Sequence, residues 1–337
     1  MLRVAYQDLY KVLLRVLLKL GFKRDRAERC ATLFAETSRD GVYSHGLNWF
    51  PRFVEMIHRG VVAIHAEPEC TDRFGGLERW DGHLGPGNLN AYACMDRAIA
   101  LARAQGLGCV ALRNTNHWMR GGSYGWQAAE AGTIGVCWTN TMPNLPPWGA
   151  RDCRLGNNPL ILAVPRPEGH VVLDMAMSQF SYGALASYRL RDEALPVDGG
   201  FDREGRLTRD PAAIEASERP LPAGSWKGSG LAFLLDVVAA LLSGGQATHQ
   251  ITPDPLEECA LSQVFIAFDL SRFYDTEGHA RVVDAIVEYV HGAAPTHEGD
   301  PVYYPGERTL RTRRENLEKG IPVEPSIWRE VQAMFPR

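Results

Sequence analysis

Five short apolar runs between residues 108 and 270 constrain the fold of this chain more than any other feature of its sequence. They cover residues 108–112, 133–138, 160–164, 171–175 and 264–270. Apolar runs of this length predict buried strands, since a helix is usually about ten residues or longer. A helical pattern over residues 123–131 lies between the first two runs. The sequence therefore predicts an α/β fold with a central mixed β-sheet and flanking helices.

The N-terminal residues follow the period of a helix. Apolar residues from Leu9 to Leu20 recur three and four positions apart, and Gly21 is placed to end that helix. Further helices are predicted from near Asp25, from near Asn48 and over residues 280–290 and 327–335, with a loop over residues 292–310. The 337 residues exceed the usual size of one compact core. We therefore predict a helical domain of residues 1–78, joined by residues 275–337, beside a mixed-sheet domain of residues 79–274.

A further helix, over residues 230–242, is apolar on almost every side, which predicts that it is buried. Asp236 interrupts it and it is too short to span a bilayer, so we expect no association with a membrane. A net charge of −4 without a basic stripe gives no electrostatic basis for binding nucleic acid. Seven scattered cysteines argue against disulfides or a zinc site and favour a reducing cytoplasm.

Several common motifs are absent from the sequence. No G-x-G-x-x-G follows a predicted strand, and the chain has no G-x-x-x-x-G-K-[ST] run. These absences argue against a Rossmann nucleotide site and against a P-loop. The chain also lacks H-E-x-x-H, so a zincin is not indicated.

The loop Tyr43-Ser44-His45-Gly46 is the first candidate site. A histidine in a loop between helices can reach a cleft, and its ordinary pKa lets it exchange a proton near neutral pH. Arg52 follows seven residues later, about two helical turns, and an arginine there could hold a carboxylate with two hydrogen bonds. The alternatives are a surface-loop histidine and a solvated or salt-bridged arginine.

Two further segments carry polar groups at the ends of predicted strands. His117 and Arg120 lie in N-T-N-H-W-M-R-G-G-S, between a strand and a helix, where α/β folds often bind ligands. That segment is equally explained as a loop that uses Asn, Gly and Ser for turn and cap geometry. Asp174 ends the apolar run 171–175 and could orient a catalytic histidine, cap a helix or bind a ribose hydroxyl.

Residues 225–230, S-W-K-G-S-G, open the apolar helix. Glycines allow close backbone approach, a helix N-terminus favours a phosphate, and Lys227 beside Trp226 adds a positive charge. This segment is therefore a candidate pyrophosphate site. The alternative is a glycine-rich loop that serves only the close packing of the helix.

Longer runs carry a resemblance to a known family. They are RDGVYSHGLNWFPRF, ALRNTNHWMRGGSYGWQAAEAG, CWTN, PPWGA, LGNNPL, DMAMSQFSYG, LPVDGGFD and WKGSGLAFLLDVVAALLSGG, and they extend over nearly the whole chain. The sequence resembles the malate/L-lactate dehydrogenase family of NAD(P)-dependent oxidoreductases. That resemblance implies an NAD-binding fold that is not the Rossmann domain, and a homodimer.

The resemblance also implies roles for particular residues. His45 would be the proton donor. The residues themselves add the hypotheses that Asp174 orients His45 and that Arg52, His117 and Arg120 bind the substrate. NADH would bind, with NADPH an open alternative, at a cofactor site that comprises His170, Val171, Val172, Leu173, Asp174, Met175, Ala176, Trp226, Lys227, Gly306, Glu307 and Arg308.

The reaction that follows from these roles is hydride transfer to a small keto acid. The expected substrate is 2,3-diketo-L-gulonate, reduced to 3-keto-L-gulonate. Malate, lactate, ureidoglycolate or a cyclic imino acid are alternatives within the same chemistry. A non-catalytic sugar-acid binding protein is the alternative from a different class.

Overall fold

The computed structural model describes residues 2–297 and 299–334. In this part of the chain the helices are α1 (Tyr6–Lys19), α2 (Arg24–Arg39), α3 (Phe50–His58), α4 (Gly87–Gln105), α5 (Gly122–Glu130), α6 (Tyr182–Leu190), α7 (Pro211–Ser217), α8 (Trp226–Ser243), α9 (Thr276–His291), α10 (Glu307–Lys319) and α11 (Pro325–Ala333). The strands are β1 (Leu2–Val4), β2 (Glu69–Phe74), β3 (Leu77–Asp81), β4 (Leu107–Thr115), β5 (Ile134–Thr139), β6 (Leu160–Val164), β7 (Val171–Met175), β8 (Gly200–Phe201), β9 (Leu207–Thr208), β10 (Leu261–Phe268) and β11 (Ile321–Val323).

A seven-stranded sheet forms the centre of the molecule, in the order β2-β3-β4-β10-β5-β6-β7. Its neighbours pair antiparallel except β3 and β4, which are parallel. A parallel pair needs a crossover of a dozen or more residues, and the 19-residue α4 supplies it. All five predicted strand runs are strands of this sheet, so the predicted α/β class with a mixed central sheet is confirmed.

Helices cover both faces of the sheet because the side chains of its central strands alternate between two cores. Val110 and Leu112 of β4 pack with α4 and α5, whereas Cys109 and Ala111 of the same strand pack with α8. β4 is buried at almost every position, so its sequence is a continuous apolar run. This explains why the sequence pattern indicated buried strands rather than a sheet with one face in water.

A separate core unites the N-terminal helices with the C-terminal segment. Leu13 of α1 and Phe34 of α2 share this core with Val323 of β11 and Trp328 of α11. β1 pairs with β11 beside it. The chain ends therefore pack together as expected, although the predicted position 335 of the last helix lies outside the described residues. The sheet already begins at β2, inside the range assigned to the helical part, and the division into two domains stays a prediction.

Two predictions about helices were wrong. The apolar helix is not buried: Phe233 and Leu234 are each 56% exposed and Leu241 is 70% exposed, because only one side of α8 faces the sheet. The predicted loop 292–310 ends early, since α10 begins at Glu307. By length and composition alone α8 could cross a membrane, but its Asp236 accepts hydrogen bonds from Thr248 N and Asn140 Nδ2 within the fold.

A buried carboxylate connects the helical part to the sheet domain. Asp40, whose side chain is only 2% exposed, accepts hydrogen bonds from Arg39 Nε at 2.8 Å, Arg120 Nη1 at 2.7 Å and Arg313 Nε at 2.7 Å. Burial by itself would raise the pKa of Asp40, but the hydrogen bonds and charges of the three arginines outweigh burial and hold that pKa well below its usual value. The carboxylate therefore stays ionised and binds α2, the loop before α5, and α10 together.

Replacing Asp40 by Asn should destabilise the protein strongly, because it leaves buried guanidinium groups without a counter-charge. We expect a loss of about 3–5 kcal/mol in the free energy of unfolding, measured by chemical denaturation at pH 7. The loss should shrink as the pH falls through the lowered pKa of Asp40, since the stability from this carboxylate is lost there. Glu55→Gln, which removes an exposed ion pair with Arg59, is the control and should change little. Equal effects of the two substitutions would contradict this account.

Candidate active site

A cleft of about 720 Å³ lies where the helical part meets the sheet domain. The segments that line it include the turn that holds His45, the loop between β4 and α5, the end of β7 with the residues after it, and the start of α10. Thr141, Asn157 and Pro159, between β5 and β6, line it as well. The sequence-predicted residues that line this cleft are His45, His117, Arg120, Val172, Leu173, Asp174, Ala176, Gly306 and Arg308. Residues predicted from separate motifs therefore meet in one cavity.

His45 is held by a tight turn of residues 43–45. Its Nδ1 lies 2.9 Å from Ser44 Oγ, which fixes one ring nitrogen and leaves Nε2 for other contacts. Gly46 follows because there is no space for a side chain: a Cβ there would lie 2.2 Å from Ser38 Oγ. The S-H-G sequence thus places the imidazole by packing its glycine against α2.

The rings of His45 and His117 lie in similar planes, with their centroids 5.8 Å apart. Burial lowers the pKa of His45; the Asp174 carboxylate opposes this change, and the charges of Arg120 and Arg52 add to it. Burial also lowers the pKa of His117, well below its usual value, and His45 and Arg52 lower it further. Both imidazoles are therefore neutral at pH 7 in the protein without ligand.

Arg120 is a buried positive group of the cleft. It is 5% exposed, and one terminal nitrogen donates to Asp40. Its Nε is buried without a hydrogen-bond partner and lies 3.8 Å from Asp174 Oδ2. An unsatisfied guanidinium N–H at the wall of a cleft is costly unless a ligand accepts from it, so this atom points to an anionic or polar ligand.

Asp174 stands at the end of β7 and faces the cleft with a side chain that is 29% exposed. Its Oδ2 accepts a hydrogen bond from Gly122 N, at the start of α5, at 2.9 Å. A Cβ on Gly122 would lie 2.6 Å from that oxygen, so the second glycine of R-G-G-S gives the carboxylate room. Asp174 acts on His45 through its charge, while the hydrogen bond to the ring comes from Ser44.

The backbone of β7 and the loop before α10 form a close-fitting wall. Val172 N donates to Pro305 O at 2.8 Å, and Gly306 has φ +97°. A Cβ on Gly306 would lie 3.0 Å from Val172 N, so only glycine permits this approach. Arg308 follows in the first turn of α10 and lines the same cleft. A backbone cradle beside a helix N-terminus and a cation suits the phosphates of a dinucleotide.

Several predicted site residues do not line the cleft. His170 lies at a smaller cavity of about 270 Å³, and its Nδ1 accepts from Arg166 N at 3.1 Å. Glu307 accepts hydrogen bonds from Tyr304 N and His291 Nε2, and so shapes the loop rather than facing the cleft. The others that do not line it are Arg52, Val171, Met175, Trp226 and Lys227. The roles given to all of them stay predictions.

Arg52 is the clearest difference from the expected arrangement. Its guanidinium lies over the ring of Trp49, with 4.3 Å from Cζ to the ring centroid, and one terminal nitrogen donates to Pro255 O. The helical spacing from His45 suggested that Arg52 would face the same side. The turn between them is 3₁₀ rather than α-helical over Leu47–Trp49, which changes the angle between the two side chains.

Sequence reasoning missed five cleft residues that carry hydroxyl groups: Thr141, Ser181, Tyr303, Tyr304 and Thr309. It also missed Trp49, which stacks on His117 with 4.5 Å between centroids. An aromatic four residues after the proposed proton donor was a usable signal, because a helix or 3₁₀ turn brings such positions together. No pattern in the sequence indicates Tyr303, which lies in the segment predicted as a loop.

Comparisons with known proteins identify the family. A family model described as malate/L-lactate dehydrogenase matches residues 4–332. The 2,3-diketo-L-gulonate reductase of Escherichia coli (strain K12 / DH10B) is 46% identical over 333 residues, which is 99% of this chain and 100% of the relative.

Solved structures extend the similarity to more distant proteins. Sulfolactate dehydrogenase from Methanocaldococcus jannaschii has a TM-score of 0.90 at 27% identity, over 99% of this chain and 96% of that one. Delta1-piperideine-2-carboxylate reductase from Pseudomonas syringae pvar. tomato has a TM-score of 0.87 at 26% identity, over 99% and 100%. This chain belongs to the malate/L-lactate dehydrogenase family. It is an oxidoreductase, as the sequence predicted.

Replacing Asp174 by Asn should lower the pKa of His45 further, because the carboxylate is the group that raises it against burial. The imidazole can be titrated by NMR in the folded protein and assigned by the loss of its signal in His45→Asn. Asp152→Asn is a control, since Asp152 is exposed and paired with Arg154. A pKa of His45 that stays the same or rises in Asp174→Asn would show that Asp174 does not act on the ring in this way.

Proposed function

We propose that this enzyme reduces 2,3-diketo-L-gulonate to 3-keto-L-gulonate with NADH, with His45 as the proton donor. The observation that carries the proposal is the cleft itself, which brings His45, Arg120 and Asp174 together beside the β7 wall. The 46% identity to an enzyme named for this substrate, over its full length, supports the choice of substrate.

His45 supplies the proton. As hydride reaches the carbonyl carbon, negative charge develops on the carbonyl oxygen, and a protonated imidazole beside it can neutralise that charge. The ring must be cationic at that moment, although burial lowers its pKa. Asp174 offsets part of that effect, and an anionic substrate in the cleft would raise the pKa of the ring in the same direction.

Arg120 and His117 hold the substrate. The unpartnered Nε of Arg120 can donate to a substrate carboxylate, and the neutral His117 can donate to or accept from a hydroxyl or keto oxygen. Arg120 can do so at little entropic cost, since Asp40 already fixes its guanidinium. Arg52 would serve the substrate only after leaving Trp49, and we keep it as a proposed contact.

The cofactor side of the cleft is the wall of Val172, Leu173, Asp174 and Ala176 with Gly306 and Arg308. A nicotinamide cofactor held there would supply the hydride. Trp226 and Lys227 lie at the start of α8, in a segment joined to the residues after β7 by the hydrogen bond from Ala223 N to Met177 O. Ser225, just before them, has φ +60°, an unusual conformation for a non-glycine residue that fits a binding loop. We propose NADH, and NADPH is the alternative.

A second set of substrates follows from the solved relatives. Those proteins are named for sulfolactate and a cyclic imino acid, which share a carboxylate next to the reacting carbon. Arg120 would serve such a carboxylate equally well. The chemistry of the site is therefore common to the family, and the rest of the cleft decides the substrate.

The direct test is oxidation of NADH, followed at 340 nm, with 2,3-diketo-L-gulonate beside pyruvate, oxaloacetate and a cyclic imino acid. We expect fast turnover with the diketo acid, and His45→Ala should lower kcat by on the order of 10²–10⁴ while cofactor binding is retained. Activity with the other acids alone would show that the substrate is a different acid, reduced by the same chemistry. Binding without turnover of any of them would favour a non-catalytic sugar-acid binding protein.

We also propose that the enzyme is a homodimer. Two helices present apolar faces to solvent, α8 with Leu234 and Leu241 and α9 with Ile286 and Tyr289, of which Tyr289 is 87% exposed. Faces of this extent on a globular chain usually mark an interface. Seven cysteines without a disulfide among the described residues fit the cytoplasm that we propose for it.

A charge in the α8 face should separate the subunits if that face is the interface. We expect Leu241→Glu to shift the protein from dimer to monomer in analytical ultracentrifugation, because an unpaired carboxylate would be buried. Phe74→Glu, at an exposed position of the β2–β3 hairpin, is the control and should leave the mass unchanged. A monomeric parent protein, or a dimer that Leu241→Glu leaves intact, would contradict this assignment.

A further inference from the structure

Trp49 lies behind the cleft and contacts three charged or titratable side chains. Its ring is stacked on His117 at 4.5 Å with an angle of 20°, and lies parallel to His45 at 5.6 Å with an angle of 3°. The guanidinium of Arg52 lies over the same indole at 4.3 Å. One side chain therefore contacts both imidazoles and the arginine.

We propose that Trp49 is a positioning residue: its indole holds the rings of His45 and His117 parallel to each other. The proposal rests on the function proposed above only for its effect on turnover. Trp49 itself does not line the cleft, so it acts through the two imidazoles and does not touch the substrate.

The two imidazole rings need a further contact to fix their orientation. The proton donor is fixed by one hydrogen bond, from Ser44, and a single bond leaves an imidazole free to swing about it. Nδ1 of His117 accepts from Met119 N at 3.1 Å, which likewise fixes one ring nitrogen. A rigid planar side chain against both rings removes the remaining freedom at a low entropic cost of its own.

Trp49 and Arg52 each carry a hydrogen-bond donor that lacks an acceptor. Nε1 of Trp49 and Nε of Arg52 are both buried without a hydrogen-bond partner. Buried donors of this kind destabilise the folded state, and such costs persist mainly where function requires the arrangement. A terminal nitrogen of Arg52 donates to Pro255 O. Burial lowers the pKa of Arg52, and the carboxylates of Glu258 and Asp254 oppose this change.

The charged groups around the two rings come from several elements. Arg52 of α3, Arg120 before α5 and Asp174 of β7 act on His45, and Arg52 and His45 itself act on His117. Burial is the largest cause of the lowered pKa of each ring. Removing the indole would admit water to both rings, so their pKa values should rise toward the ordinary value.

Three variants test the proposal: Trp49→Leu, Trp49→Phe and, as a control, Trp148→Leu at an exposed tryptophan of a separate groove. Loss of ring alignment should lower kcat of Trp49→Leu by on the order of 10–100-fold, since a misplacement of about 1 Å has an effect of that size. Trp49→Phe keeps a planar ring and should recover most of the loss. Trp148→Leu should retain the parent kcat.

A second readout does not depend on any substrate. NMR titration of the imidazoles should show the pKa values of His45 and His117 higher in Trp49→Leu than in the parent, and closer to the parent in Trp49→Phe. If no keto acid is turned over, the proposed function fails while this measurement still decides the role of Trp49. Should Trp49→Leu not fold, Trp49→Met takes its place, since it also removes the planar ring and is compared with Trp49→Phe in the same way.

A purely structural role gives a different result. In that case Trp49→Leu lowers the midpoint of unfolding, while the kcat of the folded fraction and both imidazole pKa values stay at the parent values. That combination would overturn the proposal. So would a kcat of Trp49→Phe as low as that of Trp49→Leu, because the two side chains would then be equivalent.

Discussion

Asp40 forms hydrogen bonds with arginines that lie 80 and 273 residues away in the chain. Its carboxylate is the one acceptor that Arg120 and Arg313 share, and Arg39 beside it is a third donor. Three cations around one buried anion would repel one another in its absence, so the position of each depends on that ion pair. This ion pair therefore fixes how the helical part meets the loop that holds Arg120 and the C-terminal helix α10. The cleft exists only at that junction.

The charge balance of the cleft follows from this network. Arg120 is partly neutralised by Asp40 on one side and approaches Asp174 on the other, so it keeps one N–H without a partner instead of a full free charge. His45 and His117 stay neutral because they are buried near Arg120 and Arg52. A cleft with neutral imidazoles and one unsatisfied N–H on Arg120 accepts an anion without strong competition from solvent ions. The bound anion would in turn favour protonation of His45, the proposed proton donor.

Much of the sheet could be predicted from the sequence, because buried strands are continuous apolar runs that differ from helix patterns. β2 and β3 could not, since Arg73, Glu78 and Arg79 interrupt them and the sheet edge tolerates polar residues. The exposed side of α8 was mistaken for a buried one because its residues are as apolar as those of a core. The Asp40 network could not be predicted, because Arg120 and Arg313 lie 80 and 273 residues from Asp40 along the chain.

Of the site, His45, Arg120 and Asp174 were found from local motifs, and they do line one cleft. Arg52 was misplaced because a regular helix was assumed where the chain makes a 3₁₀ turn. Trp49 was overlooked because an aromatic residue near a helix start is more often part of a core than of a site. Tyr303 and Tyr304 lie far along the chain, in a segment whose position depends on the pairing of Gly306 with β7.

The contact between the Gly306 loop and β7 has a consequence for biosynthesis. The wall of the cleft needs Pro305 O to reach Val172 N, and the guanidinium of Arg313 must also reach Asp40. The ribosome adds residues 305–313 after every strand of the central sheet has been made. Until then Asp40 can have Arg39 and Arg120 as partners but not Arg313, and the cleft lacks the wall beside β7. The nascent chain should thus be unable to complete its cleft until α10 has emerged, however early the sheet forms.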